Sequence, residues 1–326
     1  MKFKSNKLLL GAAVMAMCAV APAFAADAAA DYPNKTINMI CTHGAGGDTD
    51  YNARLISRLL EKELGVSVVV NNVPGANGSI ALTQYKDENP DGYTLIATNA
   101  MSLSSNEASG LSDYGYEAFE PVAVYGKQCG ENLLVRADDP SNTLEELINA
   151  SKEKPETIKL GIAMGGSSYV AALIMAQDKG AQFALVDAGG DGAERMTSLL
   201  GGHIDVTIAP YTLAKEYIES GKVKSICTLM SERLPAVPAI PTAKESGVPN
   251  LVIDTLYAIL APKGTDPAVV EKLNAAVLKI VNNSEEYKEA IKVYNFQEPY
   301  ALNVQDSINR LKELREHMMS YAEYLQ

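Results

Sequence analysis

Three histidines, His43, His203 and His317, are all that the chain offers for imidazole chemistry, and none is paired at a spacing that would hold a metal ion. No Gly-x-x-x-x-Gly-Lys-Ser/Thr loop is present to cradle a nucleotide phosphate. Gly44-Ala45-Gly46 opens like a dinucleotide fingerprint, but Thr49 stands where the third glycine belongs. Gly165-Gly166-Ser167-Ser168 looks like a nucleophile elbow only as far as Tyr169, which replaces the closing glycine. No catalytic set emerges. The chain reads as a non-enzyme that calls for no cofactor and no metal.

What does recur is a glycine-rich turn between an apolar run and a helical pattern: Gly44 to Gly47, Gly165 to Ser168, and Ala188 to Gly192. Such turns leave backbone N–H groups free at the positive end of a helix dipole, where anions bind. Any one of them can equally be a tight connection and nothing more. Several meeting at the carboxyl ends of neighbouring strands make a stronger case, because ligands of open α/β sheets sit there. Micromolar affinity requires about 8 kcal/mol, and hydrogen bonds to a charged group contribute roughly 1.5–3 kcal/mol each. Three or four amide contacts to a carboxylate, with closure around it, therefore suffice without a buried cation.

The elements that must position these turns alternate. Ile37–Cys41 reads as a strand and residues 49–64 as a helix, with Ala53, Ile56, Leu60 and Leu64 on one face and Gly65 as its stop. Further strands are expected at 66–70, 93–97, 159–163, 183–187, 204–209, 223–230 and 251–260. Helices are expected at 169–179, 267–281, 284–293 and 304–324. Alternation of this kind predicts an α/β protein with parallel sheets covered on both faces. About 300 residues after the leader exceed what one core usually serves, so two domains are expected.

Residues 1–25 carry the marks of a cleavable secretory signal. Lys2, Lys4 and Lys7 precede the apolar stretch Leu8 to Val20, and Ala23-Phe24-Ala25 supplies the small-x-small cleavage pattern. A lipid anchor at Cys18 is disfavoured by the bulky Met17 before it. The whole chain carries a formal charge of −12, and loss of three lysines and no acids leaves −15. So acidic a protein argues against a nucleic-acid partner, which would want a basic face. Cys41, Cys129 and Cys227 remain, an odd number too scattered for a disulfide framework; they are expected as buried thiols.

Several blocks carry a resemblance. Ile37 to Asp50, Asn72-Val73-Pro74-Gly75-Ala76-Asn77-Gly78, Pro90-Asp91-Gly92-Tyr93-Thr94-Leu95, Leu199 to Asp205, Arg233 to Thr242 and Leu260-Ala261-Pro262 resemble, in order, the Bug-type receptors. These are the extracytoplasmic solute-binding proteins of tripartite tricarboxylate transporters. The resemblance implies a type-II periplasmic-binding-protein fold, two α/β lobes joined by two crossing strands with the ligand cleft between them. One lobe would hold 31–127 with 254–326, the other 128–253. It also implies a small carboxylate ligand (a di- or tricarboxylate or a related organic acid), permease subunits in the membrane as partners, and a monomer. A sensor subunit feeding a signalling system would need the same clamp.

By position, the resemblance assigns ligand contacts to Ala45, Gly46, Gly47 and Thr49, to Ala76, Asn77 and Gly78, to Thr98 and Asn99, to Ser167 and Ser168, and to Ala209, Pro210 and Tyr211. The chain departs from the family where Thr42-His43 replaces Pro-Phe and where Asp187-Ala188-Gly189-Gly190-Asp191 replaces Pro-Tyr-Lys-Gly. His43 is expected either to fill the place of the phenylalanine or to hydrogen-bond the ligand through a ring nitrogen, more strongly when protonated. Asp187 or Asp191 would meet a ligand ammonium or cap the following helix.

Overall fold

The computed structural model describes residues 31–325 apart from 129, 190, 191, 235, 236 and 296. The expected leader with its Cys18, and also Cys129 and Asp191, lie outside the described residues. Short β-branched runs form the first sheet: β1 (Ile37–Cys41), β2 (Val68–Asn72), β3 (Thr94–Asn99), β4 (Phe119–Lys127) and β10 (Leu256–Pro262), in the order β2-β1-β3-β10-β4. A second sheet holds β5 (Glu131–Arg136), β6 (Lys159–Ile162), β7 (Ala184–Asp187), β8 (Val206–Pro210) and β9 (Val223–Thr228), in the order β7-β6-β8-β5-β9.

Neither sheet is wholly parallel, which corrects the expectation. β1 runs parallel to β2 and β3, but β10 is antiparallel to β3 and β4. In the second sheet β6 is parallel to β7 and β8, while β5 is antiparallel to β8 and β9. The cause is the connectivity. β5 and β10 begin beside the carboxyl ends of β8 and β3, because each has just arrived from the other sheet. The two crossings are tied together where Gln128 N–H donates to Thr255 O over 2.9 Å. Lys127 and Asp254 form an ion pair of 3.5 Å beside them.

The first half of the helices comprises α1 (Asp48–Leu64), α2 (Ser79–Tyr85), α3 (Ala100–Ala108), α4 (Leu144–Glu153), α5 (Ser167–Lys179) and α6 (Gly192–Leu200). The rest are α7 (Tyr211–Glu219), α8 (Pro267–Asn283), α9 (Glu285–Asn295), α10 (Val304–Met319) and α11 (Ala322–Leu325). α1 buries Ala53, Ile56, Leu59 and Leu60, and stops where Gly65 adopts φ 73° and donates to Glu61 O. α8 starts on Asp266, whose side chain accepts from Ala268 N–H, with Pro267 in the first turn, where no N–H is needed. α4 is opened by a capping box between Thr143 and Glu146.

One apolar cluster packs Ile40, Leu103 and Met318 together with Leu133, Leu160 and Ile174, so side chains around both sheets share a core. A second cluster lies between α1, α8 and the first sheet, with Ile56, Leu95, Tyr257 and Val277 among its members. Cys41 and Cys227 are buried free thiols, as expected. Among the described residues no helix is long and apolar enough to cross a membrane.

Candidate functional site

The turn after β1 is shaped by a buried carboxylate. Asp50, 4% exposed in the first turn of α1, accepts from Gly46 N–H at 2.9 Å, from Arg54 Nε at 3.0 Å and from Asn72 Nδ2 at 2.8 Å. Asn72 Nδ2 also donates to His43 O at 2.9 Å, which fastens the other end of the same loop to β2. Burial works to raise the Asp50 pKa, but the bonds from Arg54, Gly46 and Asn72 outweigh it and hold the carboxyl below its ordinary value. The Gly46 amide, expected among those that meet a ligand, is thus occupied by Asp50. Gly44, Ala45 and Gly46 are exposed, and Gly47 ends the loop as the N-cap of α1 without a side-chain cap.

Around His43 a chain of hydroxyls sets the tautomer. Thr98 Oγ1 donates to Asn99 O at 3.3 Å, Thr42 Oγ1 donates to Thr98 Oγ1 at 2.9 Å, and His43 Nδ1 lies 2.8 Å from Thr42 Oγ1. With the Thr42 hydrogen committed to Thr98, Nδ1–H is the donor in the last link and Nε2 is left as an acceptor. Loss of solvation pushes the imidazole pKa down to about 4. The ring is therefore neutral between pH 6 and 8. Of the two readings of His43, the neutral ring is the one that this direction favours.

The second turn, after β2, places two non-glycine residues in the left-handed region, Ala76 at φ 45° and Asn77 at φ 52°, followed by Gly78 at φ 85°. A Cβ on Gly78 would stand 3.1 Å from Thr42 Cβ, so this loop presses its backbone against the first. Asn77 Nδ2 reaches Ser105 Oγ at 2.9 Å, Asn106 Oδ1 at 3.0 Å and Gly165 O at 3.1 Å. The last of these belongs to the turn after β6, so a side chain of the first sheet's loops touches the second.

The structure separates the remaining expected residues. Asn99 caps α3 by accepting from Met101 N–H at 2.9 Å. Thr98 and Ser168 are both 0% exposed, and the Ser168 hydroxyl accepts from Ala163 N–H at 2.8 Å, so neither hydroxyl faces open space. Thr49, 7% exposed, is buried as well. Ala209, Pro210 and Tyr211 are buried too, with Tyr211 packed on Met230 and Leu234. Asp187 is exposed at the end of β7, the edge strand of its sheet. Ser167, half-buried at the start of α5, donates to Glu131 Oε1 over 3.5 Å.

Glu131 is the residue that the sequence reading passed over. It opens β5 immediately after the first crossing and is 6% exposed, and its Oε2 is buried without a hydrogen-bond partner among the described residues. Burial pushes its pKa up to about 7; Arg195 and Ser167 oppose the rise and Asp48 adds to it. Asp48 begins α1 and Ser167 begins α5, so the first turns of two helices, one from each sheet's side, meet near one acid. Gln128 Nε2 donates to Asp48 Oδ2 from the crossing segment. Arg195, 4% exposed, donates to Ile208 O at 3.0 Å and to Gly189 O at 3.1 Å beneath the turn after β7.

This arrangement draws on both sheets: Asp48 opens α1 beside the first, and Glu131 and Ser167 belong to the second. It presents backbone turns and helix N-termini from two sheets to a common space. A model of the tripartite tricarboxylate transporter family receptor (TctC) matches residues 52–318. The chain belongs to this receptor family.

Relatives in that family align over most of the receptor. It is 33% identical to the UPF0065 protein in the gbd 5′ region of Cupriavidus necator over 292 residues, 87% of this chain and 85% of the relative. Protein BugT of Bordetella pertussis is 30% identical over 290 residues, 87% of either chain. Among solved structures, the periplasmic binding protein BugD superposes with a TM-score of 0.76 at 28% identity, covering 90% of this chain and 98% of its own. MatC of Rhodopseudomonas palustris with bound malate gives 0.75 at 25% identity, covering 90% and 100%. The receptor thus has the two-lobed binding-protein fold that the resemblance implied, and its family is one of solute receptors rather than enzymes.

Proposed function

We propose that this receptor captures a small organic carboxylate between its two lobes and hands it to permease subunits in the membrane. The observation that carries the reading is the meeting of two helix N-termini, those of α1 and α5, which have no side-chain cap and come from opposite sheets. Each offers amide hydrogens and a positive dipole end to an anion. Gly44 and Ala45, exposed in the turn before α1, carry further backbone amides. MatC, with malate bound, supports the ligand class by kinship. The lobes in this reading are 31–127 with 254–326, and 128–253, hinging at the two crossings.

The same reading places the protein in the periplasm after removal of residues 1–25; BugD is a periplasmic binding protein. N-terminal sequencing of exported protein is expected to begin at Ala26; retention of Met1 would remove the exported receptor from consideration. Ligand class is tested by thermal unfolding with a panel of mono-, di- and tricarboxylates. A ligand present at 100 times its Kd adds about 2.7 kcal/mol, which for a protein of this size is a rise of a few degrees. At least one carboxylate is expected to produce it. Shifts from sugars or metal cations alone would overturn the proposal.

A further inference from the structure

Glu131 has no role in a site that binds only an anion, and its position is costly for one. Its carboxylate lies beside the half-buried Ser167, at the meeting point of the α1 and α5 N-termini, where a ligand carboxylate would also have to fit. The residue is 6% exposed, Oε2 has no partner among the described residues, and no ion pair within 4.0 Å joins it to any of them. The charged groups that face it are Asp48 from α1, which repels it, and Arg195 from α6, which attracts it. Arg195 aims its guanidinium at the carbonyls of Ile208 and Gly189. A buried carboxylate with an open oxygen needs a donor, and a charged donor offsets the loss of solvation better than a neutral one.

We infer that Glu131 is the acceptor for a cationic group of the ligand, so that the solute is a zwitterion: a carboxylate that also carries an ammonium group, as an amino acid does. The inference rests on the carboxylate reading above and narrows it. The ligand carboxylate takes the amides at the helix N-termini, and the ammonium lies against Glu131 Oε2 with Asp48 as a second, more distant negative charge. Asp187, the acid expected to meet an ammonium, is exposed on the edge strand and does not share this position.

The test is calorimetry with matched sets that differ only at the amino group: L-aspartate, L-malate and succinate; L-glutamate, L-2-hydroxyglutarate and glutarate; L-leucine, its 2-hydroxy acid and its 2-hydrogen acid. In at least one set the amino acid is expected to bind at least tenfold tighter than both analogues. Glu131→Gln is expected to reduce that preference to near one. Because an ammonium favours the ionised carboxyl, binding of the amino acid releases protons from Glu131 below pH 7, and affinity rises from pH 6 to 8. Equal binding of the hydroxy or hydrogen acids to the unaltered protein, or binding by no amino acid in the sets, overturns the inference but leaves the carboxylate proposal standing. Binding of isopentylamine as tight as that of leucine does the reverse: it upholds Glu131 and removes the carboxylate proposal.

Discussion

Glu131→Gln is expected to stabilise the empty receptor by about 3 kcal/mol at pH 8 and to leave its stability unchanged at pH 4. The carboxyl has its pKa pushed from 4.5 to about 7 by burial. At about 1.36 kcal/mol for each pH unit of that rise, the folded state disfavours ionisation by about 3 kcal/mol. For an acid raised in this way, the stabilising contribution is complete below the unfolded value, near 4.5, and is lost as pH climbs to about 7. A glutamine keeps the volume and carries no charge to be desolvated, so its advantage appears over the same interval. Urea unfolding of both proteins at pH 4, 6 and 8 reads the effect directly. Parallel stability curves over that range would show that Glu131 is solvated or paired in solution. A residue that weakens the fold at working pH is what a binding site retains when it needs the charge for something else.

Asp50→Ala is expected to act in the opposite sense and at a different step. It removes the shared acceptor of Gly46, Arg54 and Asn72, and with it two hydrogen bonds, from the exposed Gly46 and the half-buried Asn72, to a carboxylate that is itself buried. Because Arg54 is half-exposed and can turn to water, the cost is set by the other two partners, on the order of 3 kcal/mol. Asp50→Asn, which keeps one acceptor oxygen, is expected to lose less than half of that. Both variants are expected to bind carboxylates poorly, since the glycine loop loses its anchor to α1 and β2. The bonds that lower the Asp50 pKa also set the pH dependence: the stabilisation is full at neutral pH and lost as pH falls through the depressed folded value. Denaturant melts at pH 7 and pH 3 check the sign. An Asp50→Ala protein with native stability and native affinity would mean that the loop holds its shape through backbone alone.

Much of this architecture was legible because its signals are local. Gly65 and Gly180 mark helix ends that the chain forms in the left-handed conformation, and strands β1, β6 and β9 start at or beside the expected residues. The reading failed where a strand's role depends on the other half of the chain. Residues 251–255 look like the beginning of β10, but their backbone serves the crossing, with Ile253 N–H on Leu229 O and Thr255 O on Gln128 N–H. Strands β4 and β5 lie outside the elements that the sequence pattern predicts, although Thr143-x-x-Glu146 just beyond them marks a helix start. Glu131 was missed with them. A glutamate beside an apolar run looks like a solvated strand end, and only the fold shows that two helix N-termini close over it.

The glycine-rich turns were found, but not which of their groups are already satisfied. Ser168 and Thr98 have the right type and position and still serve the backbone or a neighbouring hydroxyl. That information lies in side-chain direction, which sequence spacing does not carry. His43 shows the same limit from another side. Its neighbourhood follows from the sequence, but its neutrality follows from burial, which pulls its pKa to about 4.

Asn77 bears on how such a receptor lets go. Its two amide hydrogens serve three acceptors, Ser105 and Asn106 at home and the Gly165 carbonyl across the gap. The shared apolar core also joins the two sheets; the Gly165 contact alone is worth one neutral bond, about 0.5–1.5 kcal/mol, because both hydrogens keep partners without it. That is a factor of about two to ten in the ratio of shut to open molecules, against roughly ten-thousandfold for a full switch between the two. The contact is a detent rather than a lock. It sets the register in which the two turns meet, and in the carboxylate-capture proposal the decision to stay shut falls to the shared core and the cargo.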